Sequence, residues 1–180
     1  MYGSRTSPCS RAITATVLGG LLLLLGVGSV SAQQPAGQSA PTAEIKRVIG
    51  RVEVLRKGQS QWVPALIGDR LAEGDDIRAF AGAQAELNLP DTSTAVLAEN
   101  SRLLLTKLEF DPQTQSRFFL LHLAVGKVRA TVAQAALTLA RVRQSNFVIS
   151  TPTAVAAARG TIMWVFTDGT SSTMAVAMTP

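Results

Sequence analysis

The chain is poor in the residues from which most sites are built. It has one cysteine, Cys9, one histidine, His122, and one tyrosine, Tyr2, in 180 residues. Cys9 precedes an apolar run that reads as an export leader. Removal of that leader takes away the only thiol, and with it disulfides and the usual thiolate zinc sites. A lone histidine between Leu121 and Leu123 reads as a structural strand residue rather than a base or ligand. No Gly-x-Ser-x-Gly elbow, phosphate loop or dinucleotide fingerprint is present. Glu86, Glu99 and Glu109 lack a spacing that points to a glycosidase pair. Asp69, Glu73, Asp75 and Asp76 do not follow the calcium-loop pattern, and Asp75 reads instead as a cap for N–H groups of a turn. No enzyme, metal or cofactor is expected from this inventory.

Acidic residues are absent from the first 43 positions. Arg5 and Arg11 make a basic start, residues 12–30 are apolar or small around Leu21–Leu25, and Val30-Ser31-Ala32 puts small residues where a signal peptidase reads. This predicts a signal peptide over 1–32 and a periplasmic or secreted product starting at Gln33. The other reading of the run is an uncleaved inner-membrane signal anchor, since it approaches spanning length. Cys9 is not at the end of the run, so it is not a lipobox cysteine. Residues 33–43 hold two prolines, no charge and no bulky apolar residue, and read as a flexible linker. The full-chain charge of +5 falls in the mature chain to +3, with 15 basic against 12 acidic side chains. Lys127, Arg129, Arg141 and Arg143 stand at strand-surface positions. They form no clustered basic face with interleaved aromatics, so nucleic-acid binding is not expected.

From 44 to 180 the pattern is that of strands. Val48, Val52 and Val54 alternate with Arg51 and Glu53, with Gly50 marking a bulge. Lys57–Ser60 reads as a turn, with Trp62-Val63-Pro64-Ala65 after it, and further strands are predicted at Ala83–Leu89, Thr94–Leu97, Arg102–Leu108 and Arg117–Val125. Two more, Ile162–Thr167 and Thr173–Met178, flank an Asp168-Gly169 hairpin turn. Residues 68–77 read as a Gly- and Asp-rich connection pegged by Leu71 and Ile77. Residues 131–143 fit a helical stripe or an extended chain, and periodicity does not decide between them. At least eight short strands separated by Gly, Pro and Asp imply an all-β domain, a β-sandwich or flattened β-roll. Core packing is the default for Trp62, Phe80, Phe110, Phe118, Phe119, Phe147, Trp164 and Phe166.

Residues 148–166 are the most telling. An alternating strand ends at Thr151-Pro152, small residues Ala154–Ala158 follow, and Arg159-Gly160-Thr161 leads into a second strand. Pro152 cannot donate to a ladder, Gly160 permits a turn that a Cβ obstructs, and Arg159 brings a donor fork into an uncharged stretch. This resembles the Thr-Pro-x-Ala-x-x-x-Arg-Gly-Thr pattern of the FecR domain family. Gly68, Leu71, Gly74, Asp75 and Ile77 match a second family block, and Gly126-Lys127-Val128-Arg129 resembles a third. The resemblance covers about 48–178, and the chain ends one strand short of the usual family length.

The resemblance implies an extracytoplasmic, non-catalytic interaction module of the bacterial envelope that binds a protein partner. Arg159, Gly160, Thr161, Trp164 and Phe166 are its candidate contact residues. Gly68, Leu71, Gly74, Asp75, Ile77, Gly126 and Pro152 are structural. Family members that control sigma factors carry a cytoplasmic segment before the membrane, and only eleven residues precede the apolar run here. Eleven residues are too few to fold such a segment, so direct sigma-factor control is not the expected role. A signal-anchored regulator of an envelope-to-sigma-factor pathway is kept as one alternative, and a binder of cell-wall glycan or another envelope polymer as the other. The uncharged edge around Thr173–Met178 also predicts self-association.

Overall fold

The computed structural model describes residues 40–133, 146–158 and 161–177. They form thirteen strands of one sheet, with no helix among the described residues. The strands are β1 (Ala43–Ile49), β2 (Val52–Leu55), β3 (Trp62–Pro64), β4 (Arg70–Leu71), β5 (Asp76–Ala79), β6 (Gln84–Asn88) and β7 (Thr94–Leu97). They continue as β8 (Ser101–Asp111), β9 (Ser116–Thr131), β10 (Asn146–Ser150), β11 (Val155–Ala158), β12 (Ile162–Thr167) and β13 (Ser172–Ala177). The all-β class agrees with the sequence, and the architecture is a strongly curled, mainly antiparallel half-barrel. The one parallel pair is β9 with β10.

The sheet has two arms that share β9. The first arm runs β3-β2-β5-β8, then the N-terminal part of β9, then β10 and β11. The second runs β4-β1-β6-β7, then the C-terminal part of β9, then β12 and β13. The switch is written into β9. Residues 117, 119, 121 and 123 are buried, and after Val125-Gly126 the buried set becomes 128 and 130. A register shift opposite Arg102/Leu103 supplies the one residue of slip. A second shift, at Leu105/Lys107, turns the inward face of β8 in the same way.

The chain changes arms along a line of left-handed residues. Gly50 (φ +69°) lies between β1 and β2, Gly82 (φ +68°) between β5 and β6, Asn100 (φ +51°) between β7 and β8, and Gly126 (φ +99°) inside β9. The crossings are bonded to one another. Phe80 N–H donates to Arg51 O (3.1 Å), Ala98 N–H to Lys127 O (3.0 Å), and Gly82 N–H to the Glu99 carboxylate (2.7 Å). Gly50 is thus more than the bulge its position in an alternating run suggests, because β1 and β2 belong to different arms. A Cβ on it would stand 3.0 Å from Ala83 Cα.

Both arms contribute to a single core. Ile45, Leu87 and Leu97 come from the second arm, and Ile77, Leu103, Leu105, Phe119, Leu121, Leu123, Phe147 and Ile149 from the first. Full burial of side chains this size stabilises by roughly 1.5–3 kcal/mol each. Phe119 and Phe147 face each other across the parallel pair and meet edge to face at 6.1 Å.

Three sequence expectations change. The stretch 68–77 holds β4 and the start of β5 rather than a bare connection. The small residues after Pro152 form β11, which turns back on β10 as a hairpin. Arg117–Val125 and the Gly126 segment are one strand of 16 residues. The segment left open between helix and strand, 131–143, falls outside the described residues beyond Ala133.

Candidate functional site

The family-like blocks hold the fold line and its loops. Asp75 is buried and accepts N–H bonds from Lys57 (2.8 Å) and Ala72 (3.0 Å) and a guanidinium bond from Arg56 (2.9 Å). Gly74 (φ +92°) donates to Leu105 O, and Gly68 (φ +90°) to Ile45 O. Leu71 and Ile77 are fully buried. Pro152 sits exposed in the β10–β11 turn, which Thr151 closes by accepting from Ala154 N–H (3.0 Å). His122 is half-buried, with Nδ1 3.0 Å from Ser150 Oγ. No group of side chains suited to a metal occurs among the described residues.

Of the five candidate contact residues, Arg159 and Gly160 lie outside the described residues. Thr161 is half-buried, and its carbonyl accepts from Val132 N–H (2.9 Å). Trp164 and Phe166 point outward from β12 and are 42% and 40% exposed, against the expectation that large aromatics pack in the core. They lie on the outer face of the second arm in two cross-strand rows. One row is Glu86–Val96–Arg129–Trp164–Ala175, and the next places Lys127 beside Phe166 and Thr173. Together they line a groove of about 420 Å³ whose flanks are small or short residues, among them Ala98, Thr173 and Ala175.

The groove's cations are not spent on acids. Lys127 Nζ lies 5.6 Å from the Phe166 ring centre, and neither Lys127 nor Arg129 makes an ion pair among the described residues. Glu86, the carboxylate in the row, pairs with Arg47. The outer face of the first arm is the opposite case. There the Arg78 guanidinium lies 4.0 Å over Trp62 and 5.0 Å from Phe80, Arg51 covers Phe80 at 4.2 Å, and Arg102 lies 5.5 Å from Trp62. Glu53 accepts from both Arg51 and Arg78, and Asp76 from Arg102. The Arg78 and Arg51 bonds hold the Glu53 carboxyl below the usual carboxylate range, and Asp76 raises the Arg102 guanidinium. That face is a closed stack of cations, rings and carboxylates. It corrects a core role for Trp62 and Phe80, because flat rings shielded by guanidinium planes need no burial in a core.

Sequence reasoning passed over Lys127 and Arg129 as ordinary strand-surface charges. It also missed Arg117 and Asp91, which form a buried ion pair. Arg117 also donates to Ala133 O (2.6 Å), Asp91 accepts from Ser93 N–H and O–H, and Ser93 Oγ accepts from Ala133 N–H. The signal for Arg117 was a charge in phase with Phe119, Leu121 and Leu123. For Asp91 it was an Asp-x-Ser turn.

Compared with known protein families, the chain matches FecR protein over residues 75–178. No curated protein and no solved structure matches the chain.

Proposed function

The chain belongs to the FecR protein family, and on that premise we propose that it is an exported, non-catalytic module that binds a protein partner in the bacterial envelope. Modules of this family are generally non-catalytic. The observation that carries the reading is the groove on the second arm. Two exposed aromatics and two cations that have no acidic partner among the described residues share one face there, as interface centres enriched in aromatic residues and Arg do. The other broad face is already satisfied by its own charges.

Export is part of the proposal. The apolar run at 12–30 and Val30-Ser31-Ala32 support cleavage before Gln33. N-terminal sequencing of the product from the cell envelope tests this, and a membrane-held product starting at Met1 would make the module signal-anchored. Arg159, Gly160 and Thr161 precede β12 and belong to the proposed contact region by sequence. Strand β13 pairs only with β12 among the described residues. That supports self-association through its other edge, which light scattering of the mature chain reads directly.

The test of the reading is capture by the immobilised mature chain from solubilised envelope proteins and, separately, from isolated cell wall. Saturable capture of one protein supports it. Retention on cell wall alone replaces it with glycan binding, with Trp164 as the stacking surface.

A further inference from the structure

The groove's charge and period define what fits it. Lys127 and Arg129 are two residues apart on β9, so their side chains leave the same face about 6.7 Å apart. Phe166 and Trp164 stand opposite them on antiparallel β12, in the pairs Lys127↔Phe166 and Arg129↔Trp164. Each cross-strand pair therefore sets a cationic side chain beside an aromatic one, with their Cβ atoms roughly 5 Å apart. An occupant must bring negative charge to both cations and apolar surface to both rings, at the spacing of alternate residues.

We infer that the occupant is an extended, acidic segment of the partner protein with glutamate at every second position. This rests on the reading of the chain as a protein-binding module. A glutamate has two methylenes to lay on Trp164 or Phe166 and a carboxylate that then reaches Arg129 or Lys127. Aspartate reaches less far, and an uncharged strand leaves the cations without counter-charges. An extended chain repeats its side chains on one face with the period of the strands beneath it, so both pairs are filled in register. The short side chains of Ala98, Thr173 and Ala175 leave room along the trough. The arginine face of the first arm cannot serve in the same way, because Glu53 and Asp76 already occupy its guanidiniums.

The test uses the mature chain and two labelled peptides of equal composition, one alternating glutamate with threonine and one with the glutamates in a block. Fluorescence anisotropy reads binding at low and high salt. The proteins are wild type, Lys127→Glu, Arg129→Glu and the double variant. All changes lie on an exposed face, and thermal melts verify the fold. The alternating peptide is expected to bind more tightly than the block isomer and to weaken as salt rises. Each single reversal is expected to reduce affinity by about tenfold. The double variant should bind an alternating lysine–threonine peptide in place of the glutamate one. Equal binding of the two isomers, unchanged binding by the reversal variants, or no binding to wild type would overturn the inference. Capture of an envelope protein that survives both reversals would locate the fault in this groove assignment, whereas wild type that captures no protein would sink the module reading itself.

Discussion

Gly126 packs against Ser101 so closely that a Cβ on it would lie 2.5 Å from Ser101 Cα, and nearer still to the hydroxyl. The hydroxyl is fixed there, since it accepts from Lys127 N–H (2.8 Å) and donates to Glu99 O (2.9 Å). Here β9 passes from one arm to the other at φ +99°. Gly126→Ala combines an unfavourable backbone conformation with a backbone clash and is expected to cost about 3 kcal/mol or more. Gly58→Ala is the control. Its φ is also positive, but nothing lies within 4 Å, so about 1 kcal/mol is expected. Urea unfolding of both variants gives the comparison, and equal effects would mean that the arm junction is not close-packed.

The Arg117–Asp91 pair joins β9 to the β6–β7 turn where both side chains are almost fully buried. Asp91→Ala strands a buried guanidinium, and a loss of about 3–5 kcal/mol is expected. Replacing both residues with apolar ones of similar volume should cost distinctly less than the single change. Because the pair is shielded, the single-variant loss should change little between low and high salt. A loss that disappears in salt would place the pair in solvent.

Three carboxylates contribute to the acid side of the stability profile. Glu53 is held below its ordinary value of 4.5 chiefly by Arg78, and Asp111 below 3.8 chiefly by the Thr114 hydroxyl. Asp168 is lowered by four bonds from Thr170 and Ser171 that close the β12–β13 turn. A lowered folded-state value means that the ionised form favours folding. The contribution is complete above the unfolded values and is lost as pH falls through the folded ones. The melting temperature should therefore be level near neutrality and drop below about pH 4.5, the ordinary value of Glu53. Glu53→Gln should flatten part of that drop. A melting temperature that rises on acidification through this window would contradict the assignment.

Much of the strand pattern was legible because half-buried strands alternate, as at Val52-Glu53-Val54 and Ala85-Glu86-Leu87. The unity of β9 was not, because a one-residue change of phase at Val125-Gly126 looks the same as a break between strands. Strand β11 was hidden because Val155-Ala156-Ala157-Ala158 has little side chain to alternate. Its pairing with β10 makes it a strand. Trp164 and Phe166 were legible as aromatics sharing one face of a strand. The groove needed β9 beside β12, a pairing between segments over thirty residues apart that no local pattern encodes.

The most direct measurement places a photoreactive amino acid at position 164 of the full chain in living cells and, as a control, at exposed Val155 on β11. If the groove is the partner-binding surface, position 164 gives a discrete protein adduct that Phe166→Ala diminishes, while position 155 gives none. Adducts that are equal at the two positions, or none from 164, would contradict the account.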